Sequence, residues 1–213
     1  MNLNNLNKNQ QSYIRDILED FETLNYRNFN DIKFSSTKTK HIELIIGQEE
    51  FISLSLLTKK EDLNDFNIIS IFEPTETILP LELYESFNSH LILIFADIRK
   101  KIEDTNLSLN EKEELSKLEI QNKDFEILKD YILNNKDKKF IINCQVGVSR
   151  SAAIGIILEN LLNDNQIDID LETNKILSHW RYSPNPIILE KYFKKDFINK
   201  YEENLDLDNI FWH

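Results

Sequence analysis

Glycine is nearly missing from this chain: Gly47, Gly147 and Gly155 are the only three in 213 residues, where an ordinary protein carries about 7 %. Cysteine is scarcer still, with Cys144 alone. No intramolecular disulfide can form, which excludes a disulfide-stapled scaffold and suits a reducing compartment. An oxidised Cys144 would also have no resolving partner in the same chain. The four histidines, His41, His90, His179 and His213, have no metal-ligand spacing, and no metal or other cofactor is expected. No hydrophobic run approaches the ~20 residues of a membrane-spanning helix, and Met1-Asn2-Leu3-Asn4-Asn5 lacks the pattern of a secretory signal. A soluble, cytoplasmic protein without a membrane partner is expected. Basic residues are outnumbered, 25 Lys and Arg against 37 Asp and Glu, for a net charge of −12. That sign excludes a general electrostatic grip on nucleic acid, so any anion site must be local.

What is present is concentrated in one stretch. Phe140-Ile141-Ile142-Asn143 is an apolar, β-prone run; Cys144-Gln145-Val146-Gly147-Val148-Ser149 is a short turn; Arg150-Ser151-Ala152-Ala153 opens a small-residue helix. The five residues between Cys144 and Arg150 can wrap so that successive backbone N–H groups point inward. The positive end of the helix beginning near Ser149 adds to that field. A phosphate group fits such a bowl, bound by Gln145, Val146, Gly147, Val148, Ser149 and Arg150. The same field favours a thiolate, the nucleophilic form of cysteine. Arg150 offers a planar fork of donors for two phosphoryl oxygens, which a lysine would not reproduce. One of only three glycines falls inside this turn, which weighs against the bland alternative of an inert buried thiol.

Read as Cys-x5-Arg-Ser, residues 144 to 151 resemble the signature loop of the cysteine-dependent protein tyrosine and dual-specificity phosphatases, in particular small single-domain bacterial and viral forms. The resemblance extends to Asn67-Ile68-Ile69-Ser70-Ile71 as an early core strand, to Leu91–Asp97 as the acid-bearing strand and loop, and to Pro184-Asn185-Pro186 after the core helix. It implies a phosphomonoesterase that uses Cys144 as nucleophile, Arg150 as phosphate ligand and Ser151 as the hydroxyl that assists thiolate departure. It also implies that Asn185 braces the loop. The chain departs from the family at Asn143, where a His is usual; Asn143 keeps hydrogen-bonding capacity and is taken as a supporting residue.

The remaining elements follow from apolar patterning. Phosphate-ester cleavage by a thiolate needs a proton for the leaving oxygen and then a base for water, and one carboxyl can serve both steps. Ligands of open α/β sheets sit beyond the carboxyl ends of strands. Asp97 and Cys144 both follow apolar runs, at 91 to 95 and 139 to 143, so Asp97 is preferred to Glu103 and Asp104 as the acid. The spacing predicts an amphipathic helix over 11 to 25 and two short β-like runs joined at Gly47 between His41 and Leu57. It further predicts a buried strand at Asn67 to Phe72, one or two charged helices between 99 and 138, a buried helix from Ala152 to Leu162, a helix from about 168 to 180, and a last helix after Pro186. Trp180, Tyr182, Phe193, Phe211 and Trp212 are expected as core or tail-docking aromatics.

The expected fold is therefore α/β, a twisted, largely parallel central sheet of four to five strands flanked by helices, similar to dual-specificity phosphatases. Residues 1–28 would form an N-terminal segment, 29–200 the catalytic domain and 201–213 a tail. The expected function is hydrolysis of phosphomonoesters on a phosphorylated protein or peptide through a phosphocysteine intermediate, with no nucleic-acid partner. The alternatives are a catalytically weak phosphate-binding module, or a phosphatase of phosphoinositides or RNA 5′-phosphates.

Overall fold

The computed structural model describes residues 36–76 and 78–194, together with positions 11, 12, 14 and 15, which are helical. Most of the helix expected over 11 to 25, and the whole tail with Phe211 and Trp212, lie outside the described residues. Within them, four strands form one parallel sheet in the order β1-β4-β2-β3. The strands are β1 (Ile42–Gly47), β2 (Phe66–Phe72), β3 (Ser89–Ile94) and β4 (Lys139–Cys144). The helices are α1 (Gln48–Leu57), α2 (Lys60–Leu63), α3 (Leu109–Leu118), α4 (Asn122–Asn134), α5 (Arg150–Leu162), α6 (Gln166–Leu177) and α7 (Pro186–Phe193). The expected α/β class and parallel sheet are what the chain adopts. Among the described residues, no helix is long and apolar enough to cross a membrane.

Side-chain alternation along the strands divides the core into two layers. Ile69 and Ile71 of β2 and Phe140 and Ile142 of β4 face a cluster with α4, α5, α6 and α7. Ile68, Phe72 and Ile141 face the opposite cluster, with Phe51, Leu54 and Tyr84. In β1 a register shift between Ile42 and Leu44 lets Ile42 and Ile45 share the first face. Helix α5 lies centrally in the first layer, and its residues from Arg150 to Glu159 are all buried. Both faces being covered, β4 needs no polar alternation, and Phe140-Ile141-Ile142 is apolar throughout.

One expectation is corrected outright. Residues 48 to 57 are a helix rather than the second arm of a hairpin. Glu50 folds back to accept the Gly47 N–H at 2.6 Å, closing the first turn. Ser53 and Ser55, which lend the stretch its alternating look, return their hydroxyls to Glu49 O at 2.9 Å and Phe51 O at 2.8 Å. β3 has the continuous apolar run of a strand covered on both faces, yet it is an edge strand with Ile94 48 % exposed. Trp180, expected in the core or docking the tail, is 83 % exposed and so is not a core residue among the described ones.

Candidate active site

Parallel strands deliver their carboxyl ends to one edge of the sheet. Ser70 of β2 is in register with Asn143 of β4, and Phe72 of β2 with Ile94 of β3. Glu73, Asp97 and Cys144 therefore emerge together. Cys144 is 3 % exposed at the end of β4, and the chain turns through 145–149 before α5 begins at Arg150.

The turn is held from outside by its carbonyls. Gln48 N–H donates to Gln145 O at 3.1 Å, Ser183 N–H to Val148 O at 3.2 Å and Asn185 N–H to Ser149 O at 3.2 Å. The Arg181 guanidinium donates to Val146 O at 3.2 Å. A trans peptide points its N–H opposite its carbonyl, so outward-bound carbonyls turn N–H groups inward. One of these is seen doing so: Gly147 N–H donates to Cys144 Sγ at 3.3 Å. Gly147 has φ +75°, and a Cβ there would lie 2.3 Å from the Ile46 carbonyl carbon. Only glycine fits. Gly47 opposes it, since a Cβ at that position would lie 3.1 Å from Val146 O.

The electrostatics combine the helix end with two arginines. Ser149 stands at the N-cap of α5 but makes no side-chain cap; its hydroxyl donates to Asp97 Oδ1 at 2.8 Å. The first N–H groups of α5 thus have no capping side chain at their open end. Arg150 is 2 % exposed; its Nη1 donates to Phe95 O at 3.2 Å and pairs with Glu73 Oε1 at 3.2 Å, and its Nη2 lies 4.0 Å from Glu76 Oε1. Its Nε and Glu76 Oε1 are buried without hydrogen-bond partners. Cys144 Sγ lies 3.2 Å from Ser151 Oγ, which can accept from the thiol or donate to the thiolate. Arg99 donates to Ser183 Oγ at 2.7 Å; burial lowers its guanidinium from the ordinary value, partly offset by the charge of Asp97.

The structure brings Cys144, Arg150, Ser151 and the 145–149 loop together, with Asp97 joined to them through Ser149. The rival acids Glu103 and Asp104 both fall in the short turn 102–104, where Glu103 is exposed. Asn143 is buried and donates to Ser70 Oγ at 2.7 Å on the neighbouring strand. Asn185 is placed differently from the expectation that its side chain braces the loop. Its Nδ2 donates to Asp97 Oδ1 at 2.6 Å and Ile98 O at 3.0 Å, while its Oδ1 caps α7 by accepting from Ile187 and Ile188 N–H. The loop receives only its backbone N–H.

Sequence reasoning missed Glu73, Glu76, Arg181 and Glu50. The strand-end rule that selected Asp97 would have selected Glu73 as well, one residue past β2. Arg181 and Glu50 are 131 positions apart, and no local pattern connects them. No protein-family model matches the chain, and no curated protein matches it.

Proposed function

We propose that the protein is a cysteine-dependent phosphatase of the tyrosine or dual-specificity type, hydrolysing phosphomonoesters of a phosphorylated protein or peptide. The observation that carries this reading is the inward N–H of Gly147 on Cys144 Sγ at 3.3 Å, in a loop whose other end is the buried guanidinium of Arg150. A thiolate at that place is stabilised by the same donors that would bind the phosphoryl oxygens.

In the first step the thiolate of Cys144 attacks phosphorus. The S–P bond forms, the P–O ester bond breaks, and the leaving oxygen takes the proton of the Asp97 carboxyl group. Ser149 and Asn185 orient that carboxyl through their bonds to Oδ1. Arg150 and the inward N–H groups hold the equatorial oxygens as charge moves onto them. In the second step Asp97, now a carboxylate, takes a proton from water as its oxygen attacks phosphorus. The S–P bond breaks, and Ser151 donates to the departing thiolate.

A second reading, a phosphate-binding module with little turnover, is favoured by the Glu73 and Glu76 carboxylates beside Arg150, which compete for its fork, and by Asn143 at the position where the resembled family has His. Hydrolysis of an aryl phosphate by wild type, Cys144→Ser and Asp97→Asn separates the two. The phosphatase reading expects turnover abolished in the first variant and strongly reduced in the second. Wild-type protein that binds vanadate yet is as inactive as Cys144→Ser would leave the binding module.

A further inference from the structure

The Val146–Gly147 peptide group carries both the carbonyl that Arg181 holds and the N–H that faces sulfur. Arg181 Nη2 donates to Val146 O at 3.2 Å, and Gly147 N–H donates to Cys144 Sγ at 3.3 Å. Because the peptide is planar, rotating one end rotates the other. A glycine at φ +75° on one side of this peptide leaves it freer to flip than any other residue would. Something must select the orientation, and the structure supplies it from two distant elements. Arg181, between α6 and α7, forms a two-pronged ion pair with Glu50 of α1, Nη1 to Oε1 at 2.8 Å and Nη2 to Oε2. Glu50 is itself fixed, since its Oε2 accepts the Gly47 N–H. Arg181 is raised from its ordinary value, first by the Glu50 hydrogen bond, against an opposing effect of burial and with added help from the Glu50 charge.

We infer that Arg181, oriented by Glu50, is a positioning residue that locks the Val146–Gly147 peptide with its N–H toward Cys144 Sγ. It acts through the peptide and touches no reacting atom. The inference rests on Cys144 as the nucleophile of the proposed phosphatase and deepens that reading. The other charged groups about the loop are Arg150 on α5, Glu73 and Glu76 after β2, and Asp97 and Arg99 after β3. The two cations among them are engaged elsewhere, Arg150 donating to Phe95 O and Arg99 to Ser183 O and Oγ, while Arg181 donates to Val146 O.

The test uses the full chain and iodoacetamide, which needs no substrate and reports on Cys144 alone because the sequence has one cysteine. Arg181→Lys retains the positive charge but cannot grip Glu50 and Val146 O with one planar fork. Alkylation at about pH 6 is expected to slow roughly tenfold in Arg181→Lys, and to converge with wild type near pH 9.5, where thiols ionise without help. Lys175→Gln, which removes a cation paired with Glu172 on α6, should leave both rates unchanged. Equal rates in wild type and Arg181→Lys at both pH values, or slowing by one common factor at both, would overturn the inference; the second result would mean that Arg181 controls access only. If circular dichroism shows Arg181→Lys unfolded, Glu50→Gln carries the same expectations and the same overturning results. An inactive wild type with the tenfold effect intact would defeat the phosphatase reading while leaving the lock in place.

Discussion

The loop 145–149 and the segment 97–118 both border the same end of the sheet, yet they are built on opposite plans. The loop is fixed by main-chain groups: the carbonyls of Gln145, Val146, Val148 and Ser149 each have a partner. The segment is charged and loosely attached. Helix α3 has no buried residue, and Leu109 is 86 % exposed. Its contacts with the body include Ala96 N–H on Leu118 O at 2.7 Å. It forms one wall of a cleft of about 610 Å³ against α7, lined in part by Lys101, Lys112, Glu113 and Lys191, to which no loop residue contributes. Under the proposed function the loop binds phosphate through N–H groups, which must be held at every peptide. The proposed proton donor needs one carboxyl held at one place, and Asp97 has its own three tethers, from Ser149, Asn185 and the Asp97 N–H on Glu73 Oε1 at 3.0 Å.

The contrast predicts that the segment is sensitive at one residue and the loop throughout. Asp97→Asn should lower turnover of an aryl phosphate by about 10²- to 10⁴-fold, the usual contribution of a general acid, with circular dichroism unchanged. Gly147→Ala attacks the loop without touching a functional side chain. The forced left-handed backbone and the 2.3 Å approach to Ile46 should cost ~2 kcal/mol or more in stability and about 10²-fold in turnover through misplaced N–H groups. Activity and melting of Gly147→Ala that match wild type would remove the contrast.

The helix that carries Arg150 gives a pH-dependent version of the same comparison. At its far end Glu159 is fully buried. Burial opposes its ionisation, but hydrogen bonds from the His41 and Thr39 side chains and the His41 N–H outweigh this and hold the carboxyl below its ordinary value. A depressed carboxylate contributes stability that is present above its unfolded value, about 4.3, and is lost as pH falls through the folded one. Glu159→Gln should cost ~1 to 3 kcal/mol at neutral pH and flatten the acid decline of the melting temperature. A decline as steep as wild type would exclude Glu159 as its source. The smallest effect is expected on the loose side. Ser108 caps α3 by accepting the Glu111 N–H, and Ser108→Ala should cost ~1 kcal/mol of local stability, read by hydrogen exchange, with turnover unaltered.

The same division explains what was legible in the sequence. The parallel sheet followed from apolar runs such as Phe140-Ile141-Ile142, and the loop from the spacing of Cys144, Gly147 and Arg150, because each is local. Helix α1 was not, since Ser53 and Ser55 imitate strand alternation and are accommodated only by bonding their own helix. The edge position of β3 depends on strand order, which no strand's own residues record. The Arg181 to Glu50 pair and the turn of Asn185 toward Asp97 rather than the loop depend on contacts across the whole chain.

The central claim is that this loop makes Cys144 a nucleophile toward phosphorus. Acid quenching during turnover of an aryl phosphate, followed by peptide mass analysis, tests it most directly. One phosphoryl group on the peptide containing Cys144, absent in Cys144→Ser, is the predicted result. Turnover with no phosphorylated Cys144 peptide, or with the phosphoryl group on another residue, would contradict it.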